Sequence, residues 1–162
     1  MYFTDAIVLS RVDVGEADTV FSLYTKKYGK IRARAQGVKK ENAKLRGHLE
    51  TFGISRVGFV QTKQGERLIY AEALEGFGAI RSDVERMKTA LYVAALLDEA
   101  TFPGEPDLPI WELLRRTLGA IEGSGPPFDH ILSRFESEFL EHMGYGGADN
   151  ISILGLPVSR PV

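Results

Sequence analysis

The sequence predicts an α+β protein: a small five-stranded β-barrel followed by a helical domain of about three helices. Three observations carry this. The first half holds short β-branched runs separated by glycine-bearing turns. Beyond about residue 77 the apolar positions switch to helical spacing. The charge balance turns over at the same place: residues 1–77 carry 13 basic and 9 acidic side chains, residues 78–162 carry 7 and 13. The expected domains are therefore 1–77 and 78–162.

The strands are read in order. AIVLSRV (Ala6 to Val12) is aliphatic and β-branched, and DTVFSLYT (Asp18 to Thr25) follows after a turn at Gly15. YGK at 28–30 is a turn signal, because a glycine tolerates the positive φ of a tight hairpin. KIRARAQG then alternates, with Ile31, Ala33 and Ala35 on one side and Lys30, Arg32, Arg34 and Gln36 on the other. A polar stretch, KKENAKLRG, leads to a fourth strand in TFGISRVGFVQT (Thr51 to Thr62). KQGE turns the chain into a fifth, RLIYAEAL (67–74). Five short antiparallel strands in this span suggest a small barrel.

In the second half, Ser82 and Glu85 have capping-box spacing ahead of Val84, Met87, Leu91, Ala94 and Leu97. FPGEPD interrupts, with Asp107 as the expected N-cap of a helix carrying Ile110, Trp111, Leu114, Leu118 and Ile121. EGSGPP interrupts again, before a helix with Ile131, Leu132, Phe135, Phe139 and Met143. The tail after Gly144 has no clear period.

The chain has 162 residues, 44% hydrophobic and 26% charged, which is the composition of an ordered globular protein. It contains no cysteine, so disulfides, thiolate metal sites and cysteine nucleophiles are excluded. The N-terminus lacks the basic region of a secretion signal, and no apolar run approaches a membrane span. A cytoplasmic protein is expected.

One window stands apart. Lys26 to Gly47 holds nine cations (Lys26, Lys27, Lys30, Arg32, Arg34, Lys39, Lys40, Lys44 and Arg46) and one acid, Glu41, in a chain of net charge -2. Three cations on an edge strand would only keep it from aggregating. Nine against one acid make a phosphate-binding surface the better reading, since each neutralised phosphate releases condensed counterions. Tyr24, Tyr28, Phe52 and Phe59 interleave with it. Phe52 and Phe59 read as core, whereas Tyr28, in a turn between cations, is the candidate for stacking on bases.

Catalytic chemistry has no foothold. His48, His130 and His142 share no metal-ligand spacing with carboxylates, and no metal site or cofactor is expected. GYGG at 144–147 follows a helix and lacks the third glycine of a dinucleotide site. There is no phosphate-binding P-loop and no G-x-S-x-G, and so no catalytic residue to name.

Taken together, AIVL at 6–9, GEAD at 15–18, LYT at 23–25, GKI at 29–31, AQGVKK from Ala35 to Lys40, and KLRG-x-LE-x-F from Lys44 to Phe52 resemble the bacterial recombination mediator RecO family. FLEHMGY, ending at Tyr145, resembles the close of that family's central helical region. The resemblance implies an OB-type barrel and a helical domain. It also implies binding of single- and double-stranded DNA, annealing of complementary strands, and help in loading recombinase RecA onto single-stranded DNA. The partners it implies are RecR and single-strand-binding protein. The cations between Lys30 and Arg46 match the family's basic barrel surface. For the acidic, apolar-ended tail of single-strand-binding protein, the candidate contacts are Arg115, Arg116, Arg86 and Lys88, most of the few cations in an acidic half. Thr51 stands where the family has proline, and the four-cysteine metal module found in many members has no counterpart in GGADN. The short second half leaves a reduced member and a truncated product both open. Two other functions fit the residues: a general RNA-binding OB module, separable by comparing RNA with DNA affinity, and an adaptor that binds proteins only.

Overall fold

The computed structural model describes residues 1–37, 45 and 47–144. The chain falls into two compact units. The first comprises residues 1–76 with 102–107; the second comprises 77–101 and the described residues from Leu108 onward.

The first unit is a closed barrel of five strands: β1 (Tyr2–Val14), β2 (Asp18–Thr25), β3 (Gly29–Ala35), β4 (Ile54–Thr62) and β5 (Gly65–Glu75). Their order around the barrel is β1-β2-β3-β5-β4. The strands are not all antiparallel, as the spacing had suggested. β3 and β5 run parallel, joined at Ala33↔Glu66 and Arg34↔Arg67. Closure requires this, because the long β3–β4 connection brings β4 to β1 and leaves β5 to meet β3 from the other side. Ala6, Val8, Phe21, Leu23, Ile31, Ala33, Ala35, Val57, Phe59, Leu68 and Ala71 fill the interior, with the small Ala33 opposite Phe21. Leu49, from the β3–β4 connection, completes that core, and Leu45 packs against it. Phe52 is fully buried and Phe59 nearly so, as expected of core residues.

Gly29 opens β3 at φ 69°, and the 102–107 segment lies directly on it: Gly104 donates its N–H to the Lys30 carbonyl at 3.0 Å. A Cβ on Gly29 would sit 2.5 Å from the Glu105 carbonyl, so only glycine fits.

The second unit holds four helices, α1 (Gly78–Ser82), α2 (Val84–Ala100), α3 (Leu108–Gly123) and α4 (Asp129–His142). The additional one is the short α1, which takes Ser82 as its last residue and so removes it from the capping role expected of it. Asp83 caps α2 instead: its backbone is extended (φ -127°, ψ 124°) and its carboxylate accepts the Arg86 N–H. Glu122 in α3 accepts the N–H groups of Ala79 and Ile80 at 2.8 and 3.0 Å, satisfying the start of α1. The apolar stripe expected on α3 is buried throughout, at Ile110, Trp111, Leu114, Leu118 and Ile121. On α2 the buried side is instead Thr89, Ala90, Val93, Ala94, Leu96 and Leu97, and Val84 and Leu91 face solvent. That helix is apolar on both sides, so spacing alone does not choose the buried one. No helix among the described residues is long and apolar enough to cross a membrane.

Candidate nucleic-acid interface

The strand pleat puts the β3 cations where the alternation placed them. Ile31, Ala33 and Ala35 are buried, Arg32 and Arg34 are exposed, and Lys30 is half-buried at the strand's start. Register carries the face onto neighbouring strands. One outward row runs Val12, Val20, Arg34, Arg67, Val60, and a second runs Ser10, Ser22, Arg32. Arg67 thus lies beside Arg34, though 33 positions away in the chain. It is exposed and belongs to the same basic face. Alternation inside the fifth strand puts Arg67 on the outer side, but only the parallel closure puts it next to Arg34.

One ion pair on this face is well defined. Arg34 gives Nε and one terminal nitrogen to Asp18 at 3.0 and 2.7 Å, and Asp18 also takes the Gly37 N–H. Among the described residues, no ion pair or hydrogen bond engages the side chains of Arg32 and Arg67. Both guanidiniums belong to exposed residues of this face.

Lys26 and Lys27 occupy the β2–β3 turn with exposed side chains and a fixed backbone. Lys26 donates its N–H to the Asp5 carbonyl at 2.9 Å, and Lys27 donates to the Thr4 hydroxyl at 3.1 Å. The Thr25 hydroxyl accepts the Tyr28 N–H and donates to the Gly29 carbonyl, closing the turn. Tyr28 itself is half-buried, edge-on to Tyr2 and Phe59 at 5.4 and 5.6 Å between centroids. It offers bases less open ring than its place in the sequence suggested. Lys39, Lys40, Lys44 and Arg46 lie outside the described residues. Around them, β3 ends at Ala35, Leu45 and Leu49 pack into the barrel core, and His48 accepts the Ala73 N–H and, through its carbonyl, the Ser55 hydroxyl.

The four cations named in the helical half separate into different settings. Arg86 is built into the fold: it holds Asp83, the carbonyls of Ile121 and Ser124, and lies over the Phe128 ring. Lys88 is an exposed neighbour of Glu85 at 3.9 Å, and Arg115 pairs with Glu112 at 2.8 Å. Arg116 reaches across to Glu138 on α4, which Arg134 also approaches, at 3.3 and 3.4 Å. Arg116 and Arg134 border a cleft of about 340 Å³ floored by Ala120, Ile131 and Phe135. Arg134 is the cation there that sequence spacing did not single out.

A closed barrel with one basic outer face, followed by a helical region, defines an OB-type barrel protein. Its N-terminal part, residues 1–77, matches the family described as "Recombination protein O N terminal", and residues 81–147 match "Recombination protein O C terminal". The chain belongs to the RecO family. Among curated relatives, the DNA repair protein RecO of Myxococcus xanthus is 36% identical over 165 aligned residues, covering 99% of this chain and 66% of the relative. That of Desulforamulus reducens is 33% identical, covering 98% and 61%. That of Pelotomaculum thermopropionicum is 32% identical, covering 90% and 56%. The chain spans between half and two thirds of the length of these relatives.

Proposed function

We infer that this chain is a non-enzymatic, cytoplasmic DNA-binding mediator of recombinational repair. It binds single- and double-stranded DNA, anneals complementary strands, and works with RecR and single-strand-binding protein to load recombinase. In this reading residues 1–77 bind DNA and residues 78–162 meet partners. The observation that carries it is the outward face on which Arg32 and Arg34 of β3 and Arg67 of β5 lie, with the exposed Lys26–Lys27 turn leading into β3. The mechanism is electrostatic. Cations that hold the phosphates of two strands reduce their mutual repulsion and leave the bases free to pair.

Fluorescence anisotropy with matched single-stranded DNA, duplex DNA and RNA over a salt series tests this. With about four to six phosphates neutralised on a single strand, log K against log salt falls with a slope of about -3 to -4. Changing Lys39, Lys40, Lys44 and Arg46 together to Glu abolishes binding without unfolding. Unchanged binding would remove the basic loop from the interface. A preference for RNA would favour the general RNA module, and binding of neither polymer would leave the protein-only adaptor.

A second reading concerns the α3–α4 cleft, whose two guanidiniums beside an apolar floor suit the acidic, apolar-ended tail of single-strand-binding protein. It keeps Arg116 from the sequence-based set and adds Arg134. Arg115 and Lys88 remain as candidates at exposed positions, whereas the structural bonds of Arg86 leave its guanidinium little to offer a partner.

A further inference from the structure

The barrel's aromatic side chains differ in exposure. Phe21, Tyr24, Phe52 and Phe59 are buried, Tyr2 and the half-buried Tyr28 pack with Phe59, and Phe3 and Tyr70 are 45% and 41% exposed on the outer surface. The latter two come from β1 and β5 yet meet across β4, because Phe3, Gly58 and Tyr70 form one register row. The middle position has to be glycine. A Cβ there would lie 2.7 Å from the Phe3 ring and 3.2 Å from Tyr70 Cβ. With no side chain in the way, Phe3 lies over the strand and meets Tyr70 edge to face, centroids 5.9 Å apart and planes at 71°. The Tyr70 hydroxyl donates to Glu72 at 3.1 Å, which fixes that ring. Ile69, at the bulge beside it, extends the apolar surface.

The charges around this pair are uneven. On one side lies the row that contains Arg34 and Arg67, and Arg67 precedes Tyr70 by three positions on the same strand. On the other side lies the row Asp5, Arg56, Glu72, in which Arg56 bridges Asp5 at 2.9 Å and two carboxylates flank one guanidinium in the register. A ligand that fits both features has anionic groups that follow the arginine row and flat apolar groups that reach the rings, away from the Asp5–Glu72 side. A single nucleic-acid strand has this chemistry. A duplex has the same phosphates but keeps its base faces within the stack.

We propose that Phe3 and Tyr70 form a stacking platform for unpaired nucleobases, placed beside Arg67 so that a strand with its phosphates on Arg34 and Arg67 lays a base on the rings. This rests on the nucleic-acid reading above and adds to it a source of preference for single strands over duplex.

The test uses the full chain with Tyr70→Ala and Tyr70→Phe, and anisotropy with labelled single-stranded and duplex DNA of equal length over one shared salt series. Loss of one stacked base weakens single-strand binding by about tenfold. Duplex binding stays within about twofold, and the salt slope is unchanged because no cation is removed. Tyr70→Phe keeps the ring and binds as the parent does. Equal loss on both polymers, or no loss on either, overturns the platform while leaving the basic face standing. A parent chain that binds neither polymer overturns both readings. Should Tyr70→Ala fail to fold, Tyr70→Trp decides: its fluorescence, read over that of Trp111, is quenched by single strands and not by duplex. Absence of quenching overturns the proposal.

Discussion

Gly29→Ala isolates the contact between the β2–β3 hairpin and the 102–107 segment. Two costs combine. Alanine at φ 69° occupies the left-handed region, which costs an L-residue about 1–2 kcal/mol. Its Cβ would also lie 2.5 Å from the Glu105 carbonyl carbon and oxygen and 2.8 Å from the Glu105 nitrogen. These are backbone atoms, so no rotamer change relieves the overlap and the segment must move. The Gly104 N–H to Lys30 carbonyl bond of 3.0 Å goes with it, a loss of about 1 kcal/mol. The total is about 2–3 kcal/mol, or about 4–12 °C in Tm for a chain of this length. Gly15→Ala is the control: its φ is 66°, but nothing among the described residues lies within 4 Å of the added Cβ, so it carries the conformational cost alone. Denaturant melts of the two variants measure the difference, with Gly29→Ala the less stable by about 1 kcal/mol or more. If the two variants are equally stable, residues 102–107 are not seated on the hairpin and the argument fails.

Two other perturbations probe a half-buried and a buried polar group. Arg86→Ala removes the donor that joins Asp83 to the carbonyls of Ile121 and Ser124, and destabilises the chain by about 2–3 kcal/mol in a urea melt; a change below about 0.5 kcal/mol would show that Arg86 does not hold these ends together. Burial, reinforced by the negative charge of Asp107, pushes the Tyr24 phenol well above its ordinary value of 10.0. The folded chain therefore keeps a proton that the unfolded chain releases, so this contribution to stability is complete below about pH 10 and is lost as pH rises past it. Tyr24→Phe removes a buried hydroxyl that has no hydrogen-bond partner among the described residues, so it leaves Tm at pH 7 unchanged or raised, and it flattens the alkaline loss above about pH 10. An alkaline profile identical to the parent's would refute the assignment.

Much of this protein is legible from local pattern. The alternation in KIRARAQG put Ile31, Ala33 and Ala35 inside and Arg32 and Arg34 outside, because a strand's side chains have a period of two whatever the strand pairs with. Gly29 marked its turn for a local reason as well, its positive φ. The spacing of Ile110, Trp111, Leu114, Leu118 and Ile121 gave α3 its buried side, since only one side of that helix is apolar. Where the local signal was degenerate the reading missed. Ser82 and Asp83 are both capping residues, and the presence of α1 decided between them. The apolar residues on both sides of α2 left its orientation to packing.

The sequence by itself determined the barrel-then-helix order, the concentration of cations in one window, and the faces of individual strands, because these depend on neighbours a few residues away. Tertiary structure alone decided which strands lie side by side. The parallel β3–β5 closure brings Arg67 to Arg34, and the β1–β4–β5 register brings Phe3 and Tyr70 together over Gly58. Pairing register is a contest among long-range alternatives, settled by burying the whole barrel interior at once. No local stretch encodes it, so surfaces assembled from distant strands become visible only when the barrel closes.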